Sequence, residues 1–302
     1  MSDVVLLDGG MGMELLQRSE NKTPALWSAD YLLSEPDLVT QIHRDYMDAG
    51  ASVITTNTYS ASFTRMAMVG MEDKVPLLQQ RACELAALAR HQAGRPRVAI
   101  AGSLPPLNGT YRPDRVRQFE VNLAEYRQLA ALQAPYVDLF ICETMSTAQE
   151  ARAAAQAASE HNKPVWVSWS LQDDGPCLRS GETIAQAFAA LAGLPIGAVL
   201  VNCCPPESIS GAMPGLIATG LPAGGYANGF VAIPQTFLPG KTREQLSSRT
   251  DLGPTEYVGF ADAWLSHGAS IMGGCCEVGP AHIRAMRDQL LAQGHAIRSP
   301  AG

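Results

Sequence analysis

Eight short runs of aliphatic and β-branched residues recur along this chain, each separated from the next by residues of helical pattern. They occupy residues 4–7, 52–55, 97–101, 137–142, 165–169, 198–201, 223–226 and 269–272. The stretches between them carry helix start and stop signals. Glu35-Pro36-Asp37 opens a helix over 38–49, with apolar residues at 38, 39, 42, 46 and 49, and Gly50 ends it. Pro113-Asp114 opens another running towards Gln133, and Ser146-Thr147 one over 148–160. Pro254-Thr255 begins a helix over 256–267 that stops at Gly268, and Gly279-Pro280 opens the last. Proline suits a first helical turn because its missing N–H has no partner there, and glycine tolerates the left-handed turn that ends a helix. Strands alternating with helices imply parallel strands joined by right-handed crossovers. Eight repeats predict an α/β fold, a closed (β/α)8 TIM barrel, with an open doubly wound sheet as the alternative. No Pro/Gly/Ser-rich linker divides the chain, so residues 1–302 read as one barrel domain with long loops at 9–35 and 59–75.

Composition enters the argument through what it excludes. With 46% hydrophobic and 17% charged residues the chain has material for a large core. Its net charge of −7 argues against a nucleic-acid partner, whose phosphates need a basic face. No run approaches the ~18 apolar residues of a membrane span, and the start lacks the basic region and long apolar run of a signal peptide. The expectation is a cytoplasmic protein with no membrane partner. Its oligomeric state stays open.

Polar and unusual residues gather where the predicted strands end: Asp8, Thr56, Asn57, Glu143, Asn202, Cys203, Asn228, Cys275 and Cys276. In a barrel those ends carry the loops that build active sites, and alternate strands contribute to a shared layer. Glu143 and the cysteine pairs fall on even-numbered strands, so they can converge. Seven cysteines fit poorly with a disulfide framework. Cys83 and Cys142 read as core thiols, and Cys177 carries no signal. The pairs Cys203-Cys204 and Cys275-Cys276 differ, because three of their thiolates at one point would select zinc and leave it an open position. Their spacing is not that of a zinc ribbon. The bland alternative is two pairs of buried thiols, or a redox-active vicinal disulfide.

These residues carry a family resemblance. Asp8-Gly9-Gly10 with Glu14-Leu15, Leu26-Trp27-Ser28-Ala29, Thr56-Asn57-Thr58-Tyr59, Cys142-Glu143-Thr144, Val201-Asn202-Cys203 and Gly273-Gly274-Cys275-Cys276 keep one order across the whole chain. In this the chain resembles the zinc-dependent, cobalamin-free homocysteine S-methyltransferases and the homocysteine domain of methionine synthase. The resemblance implies that Cys203, Cys275 and Cys276 bind Zn2+, the Asn-Cys context favouring Cys203 over its neighbour Cys204. It implies that Asp8 and Glu143 hold the homocysteine amino group and that main-chain amides around Gly9 and Gly10 take its carboxylate. Thr56 and Asn202 join the expected substrate site, with no catalytic residue beyond the zinc ligands. The small-molecule partners are then homocysteine and a methyl donor. With no further domain for cobalamin or methyltetrahydrofolate, the expected donor is S-methylmethionine or S-adenosylmethionine, with betaine or another sulfonium as the alternative. A cationic methyl donor favours aromatic surroundings, for which Trp27, Tyr59 and Tyr226 are candidates. Ser60 stands where betaine-using relatives place a tyrosine, which weakens betaine. A selenol or other thiol acceptor, and a non-catalytic redox-sensing barrel, are the competing readings.

Other motifs offer little. Gly10-Met11-Gly12 lacks the third glycine and acidic strand end of a dinucleotide fingerprint. His43, His91 and His282 lie on predicted helices, and His267 at a helix C-terminus complements the dipole.

Overall fold

Side chains alternate across a strand, and in this computed structural model the alternation sorts the strand residues into two cores. Leu7, Val53, Ala99, Ala101, Leu139, Ile141, Trp166, Ala198, Leu200 and Ile271 form one buried cluster. Their sequence neighbours Leu6, Ile54, Ile100, Phe140, Val167, Val199, Val201 and Met272 belong to the other, with the helices. The first set plugs the barrel and the second seats the helices around it, as the period of two requires. The structure describes residues 3–21, 27–234 and 245–300, without the side chain of Trp27.

The strands are β1 (Asp3–Leu6), β2 (Val53–Thr55), β3 (Ala99–Leu104), β4 (Leu139–Met145), β5 (Val165–Trp169), β6 (Ile196–Asn202), β7 (Ala223–Ala227) and β8 (Ile271–Gly274). From β2 to β8 each pairs in parallel with the next, and β8 pairs with β1. A parallel bridge between Leu7 and Val53 closes the ring. Ser52 sews that seam: its N–H donates to Leu6 O at 2.7 Å and its hydroxyl accepts from Leu6 N–H at 3.1 Å. The fold is the expected single-domain (β/α)8 barrel. A short ninth strand, β9 (Ala296–Ile297), pairs with the first residues of β1 and was not legible beforehand.

Two expected loops contain helices. Residues 9–35 hold a helix at Met11–Arg18 and a short one at Tyr31–Ser34; residues 59–75 hold one at Phe63–Ala67. The first buries Met11, Met13, Leu15 and Leu16, an apolar face that the adjacent Gly9, Gly10 and Gly12 disguise. The third starts where Ser62 Oγ accepts from Arg65 N–H. The helix expected from Pro113 is instead a single turn at Pro113–Arg115, followed by a separate helix at Phe119–Gln133. Among the described residues no helix is long and apolar enough to cross a membrane.

Candidate active site

Counting two residues along each strand from the apolar plug reaches a polar layer at the barrel mouth: Thr55, Ser103, Glu143, Ser168 and Asn202. Asn202 ties this layer together. Its Oδ1 accepts from Thr144 N–H at 2.8 Å and from Ser168 Oγ at 2.7 Å, and its Nδ2 donates to Thr144 Oγ1 at 2.8 Å. The ends of β4, β5 and β6 are thereby locked in register. Asn202 is fully buried and does not line the pocket above it. The structure therefore assigns it a positioning place under the site, where the resemblance implied substrate contact.

Three thiols meet above that layer. The Sγ atoms of Cys203, Cys275 and Cys276 all lie within 4.8 Å of one another, with Cys203 at 2.7 Å from Cys275 and 3.9 Å from Cys276. Hydrogen bonds from Cys275 and Cys276, and then from Tyr111, hold the Cys203 thiol well below the usual thiol range. Hydrogen bonding to Cys203 pushes Cys275 and Cys276 the other way. Cys204 points instead into the helix-facing core, fully buried, and burial pushes its thiol up to about 12. All seven cysteines are unbonded.

Glycines let the segments carrying these thiols come together. A Cβ on Gly9 would sit 2.1 Å from Val278 O, and one on Gly274 would sit 2.1 Å from Val278 Cγ1. Gly10 N–H donates to Val278 O at 3.0 Å, which commits that amide to the protein. The next amides, of Met11, Gly12 and Met13, begin the helix Met11–Arg18 and have no intrahelical partner.

Two carboxyls, the buried Asp8 and the half-buried Glu143, face the same pocket. Asp8 Oδ2 accepts from Thr55 N–H at 2.7 Å and Oδ1 from Thr55 Oγ1 at 3.1 Å. Glu143 accepts a hydrogen bond from Ser103 Oγ. Burial pushes each carboxyl up to about 7, and the nearby Glu143 raises Asp8 further. Tyr226 Oη is buried beside Glu143 and Ser168 without a partner of ordinary hydrogen-bond geometry, although its proximity steadies the Glu143 carboxylate. Thr56 also lines the pocket and receives Ser103 N–H at 3.3 Å.

The remaining wall is aromatic and apolar. Tyr111 Oη lies 2.9 Å from Cys203 Sγ, and the Arg179 guanidinium stacks 4.7 Å from the Tyr111 ring centroid. Tyr59, Phe230 and Leu246 complete it, the last two from the described ends of the segment between β7 and the helix Pro254–Ser266. Phe237 lies outside the described residues, as does the side chain of Trp27.

A profile of the family described as homocysteine S-methyltransferase matches residues 5–290. The chain belongs to the homocysteine S-methyltransferase family. It is 31% identical to "Homocysteine S-methyltransferase" of Escherichia coli (strain K12), covering 94% of each chain. It is 27% identical to "Selenocysteine Se-methyltransferase" of Brassica oleracea var. italica, over 95% of this chain and 89% of that one. The crystal structure of the Escherichia coli homocysteine methyltransferase MmuM in its metallated form superposes with a TM-score of 0.79 at 29% identity, covering 95% and 96% of the two chains. The same protein has been solved in an oxidized form, at the same TM-score. As a homocysteine S-methyltransferase the chain is an enzyme of methyl transfer.

Within this homocysteine S-methyltransferase, sequence reasoning missed Tyr111, Arg65, Phe230 and Leu246 on the pocket wall. One signal was available only from the backbone. Tyr111 (φ 64°), Thr144 (φ 60°), Cys203 (φ 54°) and Glu277 (φ 67°) all adopt left-handed conformations in or beside the pocket. Such residues each cost of order 1–3 kcal/mol and collect where a site must be held in one geometry. Asn162 (φ 54°), just past the helix Ala148–Ser159, is the other non-glycine of this kind among the described residues.

Proposed function

We propose that the chain transfers a methyl group from a small sulfonium donor to the thiol of homocysteine, with zinc held by Cys203, Cys275 and Cys276. The observation that carries this reading is the convergence of three thiols within 4.8 Å in a pocket that also holds the carboxyls of Asp8 and Glu143. The donor set fits the ion. Thiolates favour zinc, three of them leave a tetrahedral position open, and thiolates at ~2.3 Å from zinc stand about 3.8 Å apart. The 3.9 Å between Cys203 and Cys276 matches that spacing, while the 2.7 Å between Cys203 and Cys275 has to widen. Zinc, when bound, stabilises the deprotonated form of a thiol whose free pKa is near ~8.5.

The chain's own residues supply the rest. Asp8 and Glu143, both poised near neutrality, ionise around the homocysteine ammonium and hold it in a charge-assisted contact. The amides of Met11, Gly12 and Met13 face its carboxylate at the positive end of their helix. Phe230 and Leu246 exclude water from the sulfur, and the faces of Tyr59 and Tyr111 suit a cationic donor. The reaction is an in-line displacement in which the acceptor sulfur bonds the methyl carbon while the donor's sulfur departs as a neutral thioether. S-methylmethionine and S-adenosylmethionine both meet this description. A cytoplasmic setting, which keeps thiols reduced, suits the unbonded cysteines.

The test is turnover of homocysteine by zinc-loaded protein with a panel of methyl donors, scored as methionine formed. The expected result is about one zinc per chain and turnover that disappears with the metal and returns on reloading. Full activity after rigorous metal removal overturns the zinc reading. Because a selenocysteine Se-methyltransferase is among the relatives, selenocysteine belongs in the assay as a competing acceptor.

A further inference from the structure

One cation in the pocket is left without a task by the chemistry above. Arg65, from the helix Phe63–Ala67, lines the same pocket as the thiols. Its Nε and Nη2 donate to Pro106 O at 3.3 and 3.0 Å, and Nη2 also donates to Thr110 Oγ1 at 2.9 Å. The guanidinium carbon lies 5.1 Å from the Tyr59 ring centroid, and Tyr59 Oη shares Thr110 Oγ1 at 3.0 Å. Three contacts therefore fix the guanidinium plane and leave the Nη1 edge unengaged. Among the described residues Arg65 makes no ion pair, unlike Arg18, Arg90, Arg117 and Arg179, which all do. Glu150 feels its charge, but that carboxyl is buried and accepts from Ser146 N–H at 3.3 Å.

The position relative to the thiols follows from the hydrogen bonds. Cys203 Sγ contacts Tyr111, whose chain neighbour Thr110 contacts Arg65. Asp8 and Glu143 make their contacts elsewhere, with Thr55 and Ser103. Homocysteine brings one ammonium for the two acids and one carboxylate for the helix amides, which leaves the guanidinium for the second substrate. That substrate carries a sulfonium. A bare cation would be repelled by a half-buried guanidinium, whereas a donor with its own carboxylate would neutralise it through the Nη1 N–H groups that the other contacts leave over.

We propose that Arg65 binds the carboxylate of the methyl donor. The inference rests on the functional reading above and assigns one residue of its donor site. It is tested by steady-state kinetics of the zinc-loaded enzyme with S-methylmethionine and with its carboxamide, in which a neutral amide replaces the carboxylate. The wild type should prefer the acid over the amide by about 10- to 100-fold in kcat/KM, the range of a charged hydrogen bond. Arg65→Met should raise KM for S-methylmethionine by that factor and abolish the preference, with KM for homocysteine unchanged within about twofold. Arg65→Lys should keep part of the preference, because the charge remains while the contacts that fix its direction are lost. Three results overturn the proposal. The acid-over-amide preference could survive in Arg65→Met; KM for homocysteine could rise instead, which would place the acceptor's carboxylate there; or both donors could weaken equally, which would mark Arg65 as support for the Pro106–Thr110 loop. A wild type that methylates homocysteine from no sulfonium at all would sink the donor reading itself and this inference with it.

Discussion

Replacing Asn202 with leucine tests whether the three clustered thiols are held by the polar layer beneath them. The two side chains are similar in volume, so the change removes hydrogen bonding with little change in packing. Three good bonds disappear: Thr144 N–H and Ser168 Oγ lose their acceptor, and Thr144 Oγ1 loses its donor. All of these groups are buried and out of reach of water. At about 1 kcal/mol for each bond, with a further cost for the stranded Thr144 N–H, the loss should be about 3–5 kcal/mol. Urea unfolding of the metal-free protein measures it as a drop in midpoint at unchanged slope. The same layer fixes Thr144 and Cys203 in their left-handed conformations, so the thiol cluster should loosen too. Chelator competition should then show zinc affinity lower by about 10- to 100-fold, as for other partners that orient metal ligands. A variant that unfolds within about 1 kcal/mol of the wild type and keeps its zinc affinity would refute the argument. Weaker homocysteine binding with stability and zinc affinity intact would also refute it, and would return Asn202 to the substrate contacts.

The remaining predictions concern the thiols and the carboxyls. Cys276→Ala should abolish both zinc stoichiometry and methyl transfer, whereas Cys204→Ala, whose sulfur lies in the helix-facing core, should keep both; metal analysis of the two purified variants decides it. Because burial raises Asp8 and Glu143 to about 7, both are largely protonated below neutrality and cannot pair with an ammonium. Homocysteine affinity, read by calorimetry on the zinc-loaded enzyme, should therefore fall as pH drops from about 8 to 6, by up to about tenfold per unit for each group, and Glu143→Gln should flatten the profile. Stability without ligand should run the opposite way. The fold binds protons at these two sites that the unfolded chain has released, so their contribution favours the fold below the ordinary carboxyl value of about 4 and is lost as pH rises towards 7. A urea midpoint carried by these groups should thus be higher at about pH 5 than at about pH 8; the reverse order would refute the burial argument.

The barrel was legible because its cause is local. Each strand is a short aliphatic run, most of the principal helices carry a proline or hydroxyl start, with Phe119–Gln133 the exception, and eight such repeats leave few ways to bury both faces of the sheet. What escaped was structure whose cause is distant. The helix Met11–Arg18 hides behind glycines that are there because Val278 lies 2.1 Å from where a Gly9 Cβ would stand, a contact between residues at opposite ends of the chain. β9 pairs through only two residues and has no pattern long enough to recognise.

At the site, strand parity separates what could be read from what could not. Leu139, Ile141 and Glu143 face the barrel interior, while Phe140 and Cys142 face the helices. The position of the acid and the inertness of its cysteine neighbour thus follow from one alternation. The same alternation stops at the strand ends, where it would have been needed to choose between Cys203 and Cys204. There the backbone of Cys203 turns left-handed, the preceding Asn202 is anchored to Thr144 and Ser168, and only then does one thiol face Cys275 while the other enters the core. Arg65 lies further still from any periodic rule, on a short helix inside a loop. Its place in the pocket shows in charge alone: it lines the same cavity as two carboxyls, and among the described residues it makes no ion pair.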